Sequence, residues 1–207
     1  AAQGPLNSCI TGRGGVPVGQ ALLRRGARVG DDSYASGTLG DARLALQALQ
    51  GRITLTPEAL AAARLRLEAP TPRVALGQAL RGIAHSAIDV SDGLLGDLGH
   101  LLRASGVGAC VDTASTINLI AASAHHISAT GQFDTELLAQ CTLAGGDDYE
   151  LVFTAAPAQR SAIAAAALAS ATPVTRIGTI EAAPGLRLID AHGQPVTQRY
   201  ASFDHFA

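Results

Sequence analysis

Two short acidic segments carry the residues best suited to chemistry. Asp89-Val90-Ser91-Asp92-Gly93 sets two carboxylates three residues apart with a hydroxyl between them. An apolar run, Ala87-Ile88, precedes it. Leu94, Leu95, Leu98, Leu101 and Leu102 follow with helical spacing. The acids therefore fall where a strand turns into a helix. A carboxylate buried at a strand end is costly unless it is paired or binds a cation, and Asp89 is expected to be one. Hard oxygen ligands of this kind suit Mg²⁺, which takes one or two protein carboxylates together with substrate phosphates. The free N–H groups of a helix start favour an anion beside it. Ser91 and Asp92 also suit plain helix capping, which gives no reason for Asp89.

The second segment is Gly145-Gly146-Asp147-Asp148-Tyr149-Glu150. Its glycines allow close approach of backbone to a ligand. Its acids can bind a cation or accept hydrogen bonds from a substrate amine, and an ordinary turn before a strand reads equally well. Other features carry less. His125-His126 has no carboxylate or Cys at metal-ligand spacing and reads as a surface pair. Gly106-Val107-Gly108 follows a helix rather than a strand, so it is not a dinucleotide loop. Arg24-Arg25 can clamp phosphate, although such a pair is commonly solvated surface. Phe203-Asp204-His205-Phe206 is apolar for a chain end and suggests docking or stacking.

The elements that must position these residues are legible from punctuation and periodicity. A short strand over 33–38 leads into a tight turn through Gly37 and Gly40, then a helix through Leu44 and Leu49. Thr56-Pro57-Glu58 starts a second helix that ends before Pro70. A further helix is expected over Arg73–Ile83, and the leucine stripe ends at Ser105-Gly106. Beyond it come a strand near Cys110–Asp112, one or two helices between Leu119 and Gln140, and a strand over Tyr149–Thr154. Pro157 opens an Ala-rich helix to Ser170, and strands are expected at Val174–Ile180 and Leu186–Ile189. A short extended run near Ser8–Thr11 needs partners that do not precede it. Interleaved helices and strands predict a compact mixed α/β layer structure.

Composition narrows the function classes. The chain has 207 residues, 47% apolar and only 3% aromatic, so its core is built from Ala, Leu, Ile and Val. All 15 basic side chains are Arg, and there is no Lys. That excludes a P-loop lysine, a protein-kinase strand lysine and a Schiff-base lysine within these residues. A net charge of −2 with scattered signs argues against a nucleic-acid surface or a polybasic membrane patch. Cys9, Cys110 and Cys141 form no zinc spacing, which suits a reducing cytoplasm. No apolar run is long enough to span a membrane. The chain contains no Met and starts Ala1-Ala2, which predicts a processed chain or a fragment.

Five motifs in register resemble the thiamine-monophosphate kinase family, within the aminoimidazole ribonucleotide synthetase-like superfamily. They are Gly26-Ala27-Arg28-Val29-Gly30-Asp31, Ser36-Gly37-Thr38-Leu39-Gly40-Asp41, Ile88 through Leu94, Gly145 through Leu151, and Phe203 through Phe206. The resemblance implies two domains, the C-terminal one of α+β fold, a mixed sheet with helices in layers. Residues 1–28 would end an N-terminal ATP- and Mg²⁺-binding, dimer-forming domain whose rest is missing, contributing a remnant strand. Residues 29–207 would form the C-terminal domain. By position, Asp89 and Asp92 would be Mg²⁺ ligands, and Arg24 and Ser91 would contact ATP. Asp147, where the family usually has Glu, and Phe203, where it usually has Trp or Tyr, would contact thiamine monophosphate. The implied reaction is in-line transfer of the ATP γ-phosphoryl to the phosphate of thiamine monophosphate. Its nucleophile is already anionic, so no catalytic base is called for, and a homodimer is implied. Two alternatives stand beside it. One is another ATP-using member of the superfamily, of the selenide or purine pathways. The other is a non-catalytic fragment that binds nucleotide or assembles with partners.

Overall fold

The computed structural model describes residues 11, 14–120, 135–198 and 200. Among these residues the α-helices and strands are, in chain order, β1 (Asp32–Ser36), α1 (Asp41–Leu49), α2 (Pro57–Glu68), α3 (Val74–Ala79), β2 (Ser86–Val90), α4 (Leu94–Ser105), β3 (Gly108–Asp112), α5 (Thr113–Ile117), α6 (Thr135–Ala144), β4 (Glu150–Ala155), α7 (Arg160–Ala169), β5 (Val174–Glu181) and β6 (Gly185–Ile189). The strands form one sheet in the order β2-β4-β1-β5-β3-β6. Every pairing is antiparallel except β3 with β6. The expected α+β fold with a mixed sheet is what the chain adopts.

Both sheet faces are buried, which explains the apolar runs without polar alternation. Ala35, Ile88, Val90 and Val152 point to one side, where Leu94, Leu98, Leu101 and Leu102 of α4 cover them with Leu143 of α6. Tyr34, Ala87 and Phe153 point to the other, against Leu76, Leu80 and Ile163 from the α3 and α7 regions. Tyr34 and Phe153 face each other across β1 and β4, and their rings stack at 5.2 Å. A third cluster joins α1, α2 and α6 through Leu44, Ala59 and Cys141. Among the described residues, no helix is long and apolar enough to cross a membrane.

Several boundaries differ from the sequence expectation for local reasons. Thr56 caps α2 as expected, its hydroxyl accepting the Ala59 N–H. The helix expected over Arg73–Ile83 stops at Ala79, because Leu80 closes a turn by accepting the N–H groups of Ile83 and Ala84. Pro157 opens a 3-10 turn (Pro157–Gln159) before α7 begins. The five-residue α5 was not foreseen; the Asp112 carboxylate caps it by accepting the N–H groups of Ala114 and Ser115. The expected run near Ser8–Thr11 is described only at Thr11, and part of the region expected to be helical after Leu119 lies outside the described residues.

Candidate functional site at two abutting acidic turns

The first acidic turn leaves the sheet at its edge. Among the described residues β2 pairs with one strand, β4, and on its other side the Ala87 N–H donates to the Leu23 carbonyl at 2.9 Å. Asp89 is not buried: its side chain is 53% exposed, with Arg24 Nη2 at 3.9 Å. Its position in the open edge strand lets it project to solvent. The expectation of a costly buried carboxylate is therefore corrected, and the charge stands ready for a ligand instead. Arg24 is held nearby from both sides. Leu23 joins β2, and the Gly26 and Ala27 N–H groups donate to the Ser105 hydroxyl at the end of α4.

Ser91 does not cap α4. The N-cap is Gly93, with φ of 120°. A side chain there would meet the Ala144 backbone at 3.0 Å, and this left-handed backbone itself favours glycine. Capping is done in reverse by Asp97, from the first turn of the helix. Its Oδ2 accepts the N–H groups of both Ser91 and Asp92 at 3.0 Å. Asp97 is buried, and burial pushes its carboxyl above the usual range while the two N–H donors oppose the shift. Sequence reasoning passed over Asp97; an acid one helical turn after a Gly start was the available signal. With Asp97 turned inward, Asp92 remains half-buried beside exposed Asp89.

The second turn lies against the first. The Asp147 N–H donates to the Ser91 carbonyl and the Tyr149 N–H to the Val90 carbonyl, each at 2.9 Å. Gly146 is the point of closest approach, because a Cβ there would sit 2.5 Å from the Ser91 oxygen. Gly146→Ala is expected to push the turns apart at a cost of about 1–3 kcal/mol, as overpacking does. A urea midpoint within 0.3 M of wild type would show that the contact is looser than described.

Along Asp147-Asp148-Tyr149-Glu150 the side chains alternate: Asp147 and Tyr149 are exposed, while Asp148 and Glu150 are fully buried. Asp147 and Tyr149 have φ of 68° and 52°. Side-chain-bearing residues held in that region cost of order 1–3 kcal/mol each. The buried pair offsets this. Asp148 accepts the Gly40 N–H at 2.8 Å and the Ala42 N–H at 3.4 Å, capping α1. Glu150 accepts Arg66 Nη2 at 2.6 Å, both Nε and Nη2 of Arg73 at 2.7 and 2.5 Å, and the Ser36 hydroxyl at 2.6 Å. The Ser36 oxygen in turn accepts the Leu151 N–H, and Arg66 also donates to the Asp148 carbonyl. Neither Arg66 nor Arg73 stood out in the sequence, because helix arginines ordinarily read as solvated, and Glu150 was read there only as part of the acidic segment, not as the anchor of two arginines.

Burial pushes the Asp148 carboxyl up from 3.8 to about 8, with the two backbone donors and Arg66 pulling the other way. Between those values the folded chain binds more protons than the unfolded one, so this group makes stability fall as pH rises from about 4 to about 8. Asp148→Asn is expected to flatten that part of the profile. Urea midpoints of both proteins across the range check it, and parallel profiles would refute it.

Of the residues singled out by sequence, the structure brings Arg24, Asp89, Ser91, Asp92 and Asp147 into one neighbourhood. Phe203 and His125-His126 lie outside the described residues. Polar Asp31 and Asp32 belong elsewhere. Asp31 accepts His85 Nδ1 at 2.8 Å and the Arg28 N–H at 2.9 Å. Asp32 pairs with Arg160 and Arg176, and the Arg160 hydrogen bond holds its carboxyl below the usual range against the opposing effect of burial. Among the described residues no group of three His, Cys, Asp or Glu converges as a ready metal cage. Two hard carboxylates on adjoining backbone still fit Mg²⁺, which completes its shell with water and phosphate oxygens.

Residues 31–191 match the family described as AIR synthase related protein, C-terminal domain. The thiamine-monophosphate kinase of Salmonella typhimurium is 40% identical over 210 residues, covering 99% of this chain and 61% of that protein. The chain therefore spans about three fifths of such a relative. The crystal structure of thiamine-monophosphate kinase from Stenotrophomonas maltophilia is 45% identical, with a TM-score of 0.73 over 87% of this chain and 56% of that one. A structure of AaThiL complexed with AMPPCP and TMP is 27% identical, with a TM-score of 0.66 over 89% of this chain and 54% of that one. With its sheet, its helices and its two abutting turns inside the matched span, the chain belongs to the AIR synthase related protein family, whose C-terminal domain it carries.

Proposed function

We propose that the chain is the C-terminal part of a thiamine-monophosphate kinase, transferring the γ-phosphoryl of ATP to the phosphate of thiamine monophosphate. One P–O bond of ATP breaks, releasing ADP, and one forms to the acceptor phosphate, giving thiamine diphosphate. The observation that carries this reading is the joining of the two acidic turns by hydrogen bonds from Asp147 and Tyr149 to Ser91 and Val90. It sets the residues assigned to nucleotide and to acceptor side by side. Relatives that bear this name and align with 99% of the chain, at 40% and 37% identity, support it.

Asp89 and Asp92 would hold Mg²⁺, which neutralises phosphate charge when two polyanions meet. Arg24, 63% exposed beside Asp89, would take a phosphate oxygen. The N–H of Ser91 is committed to Asp97 and its carbonyl to Asp147, leaving the hydroxyl for ATP. Asp147 faces solvent, where the acceptor would lie, and Phe203 is assigned to the same acceptor by the resemblance. Positioning and charge do the work, so no side chain is assigned as a base. Residues 1–28 would belong to an N-terminal domain that also supplies the dimer contact, in a cytoplasmic enzyme.

The test is formation of thiamine diphosphate from thiamine monophosphate and ATP by the protein in the form in which the cell makes it. The 207-residue chain alone is expected to turn over slowly or not at all. Full activity with selenide or a purine-pathway acceptor, and none with thiamine monophosphate, would replace this reading.

A further inference from the structure

We infer that Tyr149 forms, with Asp147, the seat for a positively charged heteroaromatic ring. This rests on the proposed function, in which thiamine monophosphate carries such a ring, the thiazolium, and it assigns Tyr149 a role in choosing the acceptor.

Tyr149 is 47% exposed and is presented by an unfavourable backbone. Core packing does not account for it. The residues on either side, Asp148 and Glu150, are the buried ones, and they hold the turn without help from the Tyr149 ring. Its main chain is tied to the first acidic turn by the bond to Val90. Asp147 is likewise exposed and tied to Ser91. An aromatic side chain is thus held out to solvent beside residues assigned to phosphoryl transfer.

The charge around it selects the ligand. Asp89 and Asp92 are assigned to Mg²⁺ and Arg24 stands beside Asp89, so exposed Asp147 is the carboxylate left to face a ring at Tyr149. A neutral ring gains nothing from that field, and an anionic one is repelled. A cationic ring gains twice, from the Asp147 carboxylate and from the negative face of the tyrosine. In the proposed function the phosphate of the same ligand would lie toward Arg24 and the carboxylates assigned to Mg²⁺. A cationic ring joined to a phosphate has complementary charge at both ends of this site.

The experiment compares binding of thiamine monophosphate with binding of an isosteric monophosphate whose five-membered ring is a neutral thiophene, measured by calorimetry on the protein as the cell makes it. Wild type is expected to prefer the cationic ring by about tenfold or more. Tyr149→Leu is expected to weaken thiamine monophosphate about tenfold and leave the thiophene analogue little changed, while Tyr149→Phe keeps the preference. A general loss of structure would weaken both ligands and Mg²⁺-ATP alike, so the ratio separates recognition from folding. An unchanged preference in Tyr149→Leu, or a Tyr149→Phe variant that loses as much as Tyr149→Leu, overturns the inference while leaving the kinase reading intact. Failure of wild type to bind thiamine monophosphate overturns the kinase reading itself.

Discussion

Replacing Glu150 with alanine is expected to destabilise the fold by about 3–5 kcal/mol, the range seen when one partner of a buried ion pair is removed. The carboxylate is fully buried and meets two guanidiniums and a hydroxyl. Those guanidiniums are themselves only 12% and 15% exposed, so truncation strands two charges away from water. Glu150→Gln keeps the shape but not the charge and should fall between alanine and wild type. A triple replacement, Glu150→Met with Arg66→Met and Arg73→Leu, should recover much of the stability, because hydrophobic residues of similar volume commonly substitute for a buried ionic group. Its acceptor binding should remain impaired, since the turn would lose the clamp that opposes its unfavourable backbone. Urea unfolding decides the first point. A cost below 1 kcal/mol for Glu150→Ala would mean that water reaches the guanidiniums and the triad is not a buried one.

Asp92→Ala is expected to do the opposite, leaving the fold and removing the chemistry. The turn it occupies is held by Asp97 through the Ser91 and Asp92 main chain, which alanine preserves. The unfolding midpoint should therefore move by less than the equivalent of about 1 kcal/mol. Thiamine diphosphate formation should fall by about 100-fold or more, because changes even outside the ligand shell cost 10–100-fold at metal sites. A rate retained at saturating Mg²⁺ would remove Asp92 from the ligands. Asp89→Asn belongs in the same assay, and with its side chain half in water it too should leave the midpoint unchanged.

Much of this was legible in advance where one physical signal dominated. The leucine stripe of α4 specified a helix, Gly106 closed it with φ of 69°, and the apolar run before Asp89 specified a strand. Asp89 itself was misjudged. An apolar stretch reveals burial of a strand, yet it does not say whether that strand lies at the sheet edge, and edge position is what exposes the side chain. Arg66 and Arg73 were invisible for a different reason. Each acts on a carboxylate brought to it by tertiary structure, across 84 and 77 residues. Asp97 lies only six and five residues from the N–H groups of Ser91 and Asp92, and its local signal was passed over. The spacing of the Asp147–Glu150 run marked it as acidic, but which acids point inward depends on β4 entering the sheet at Glu150.

That alternation has a consequence for how the chain finds its fold. β4 pairs on both sides, Val90 with Glu150 on one and Ala35 with Val152 on the other. Sliding it by one residue would expose the carboxylate that two arginines await and would drive Tyr149 into their place. The segment thus works as a proofreading code written in charge, which accepts one reading frame and rejects its neighbours. Inserting a single residue between Gly146 and Glu150 should be worse tolerated than any one substitution there.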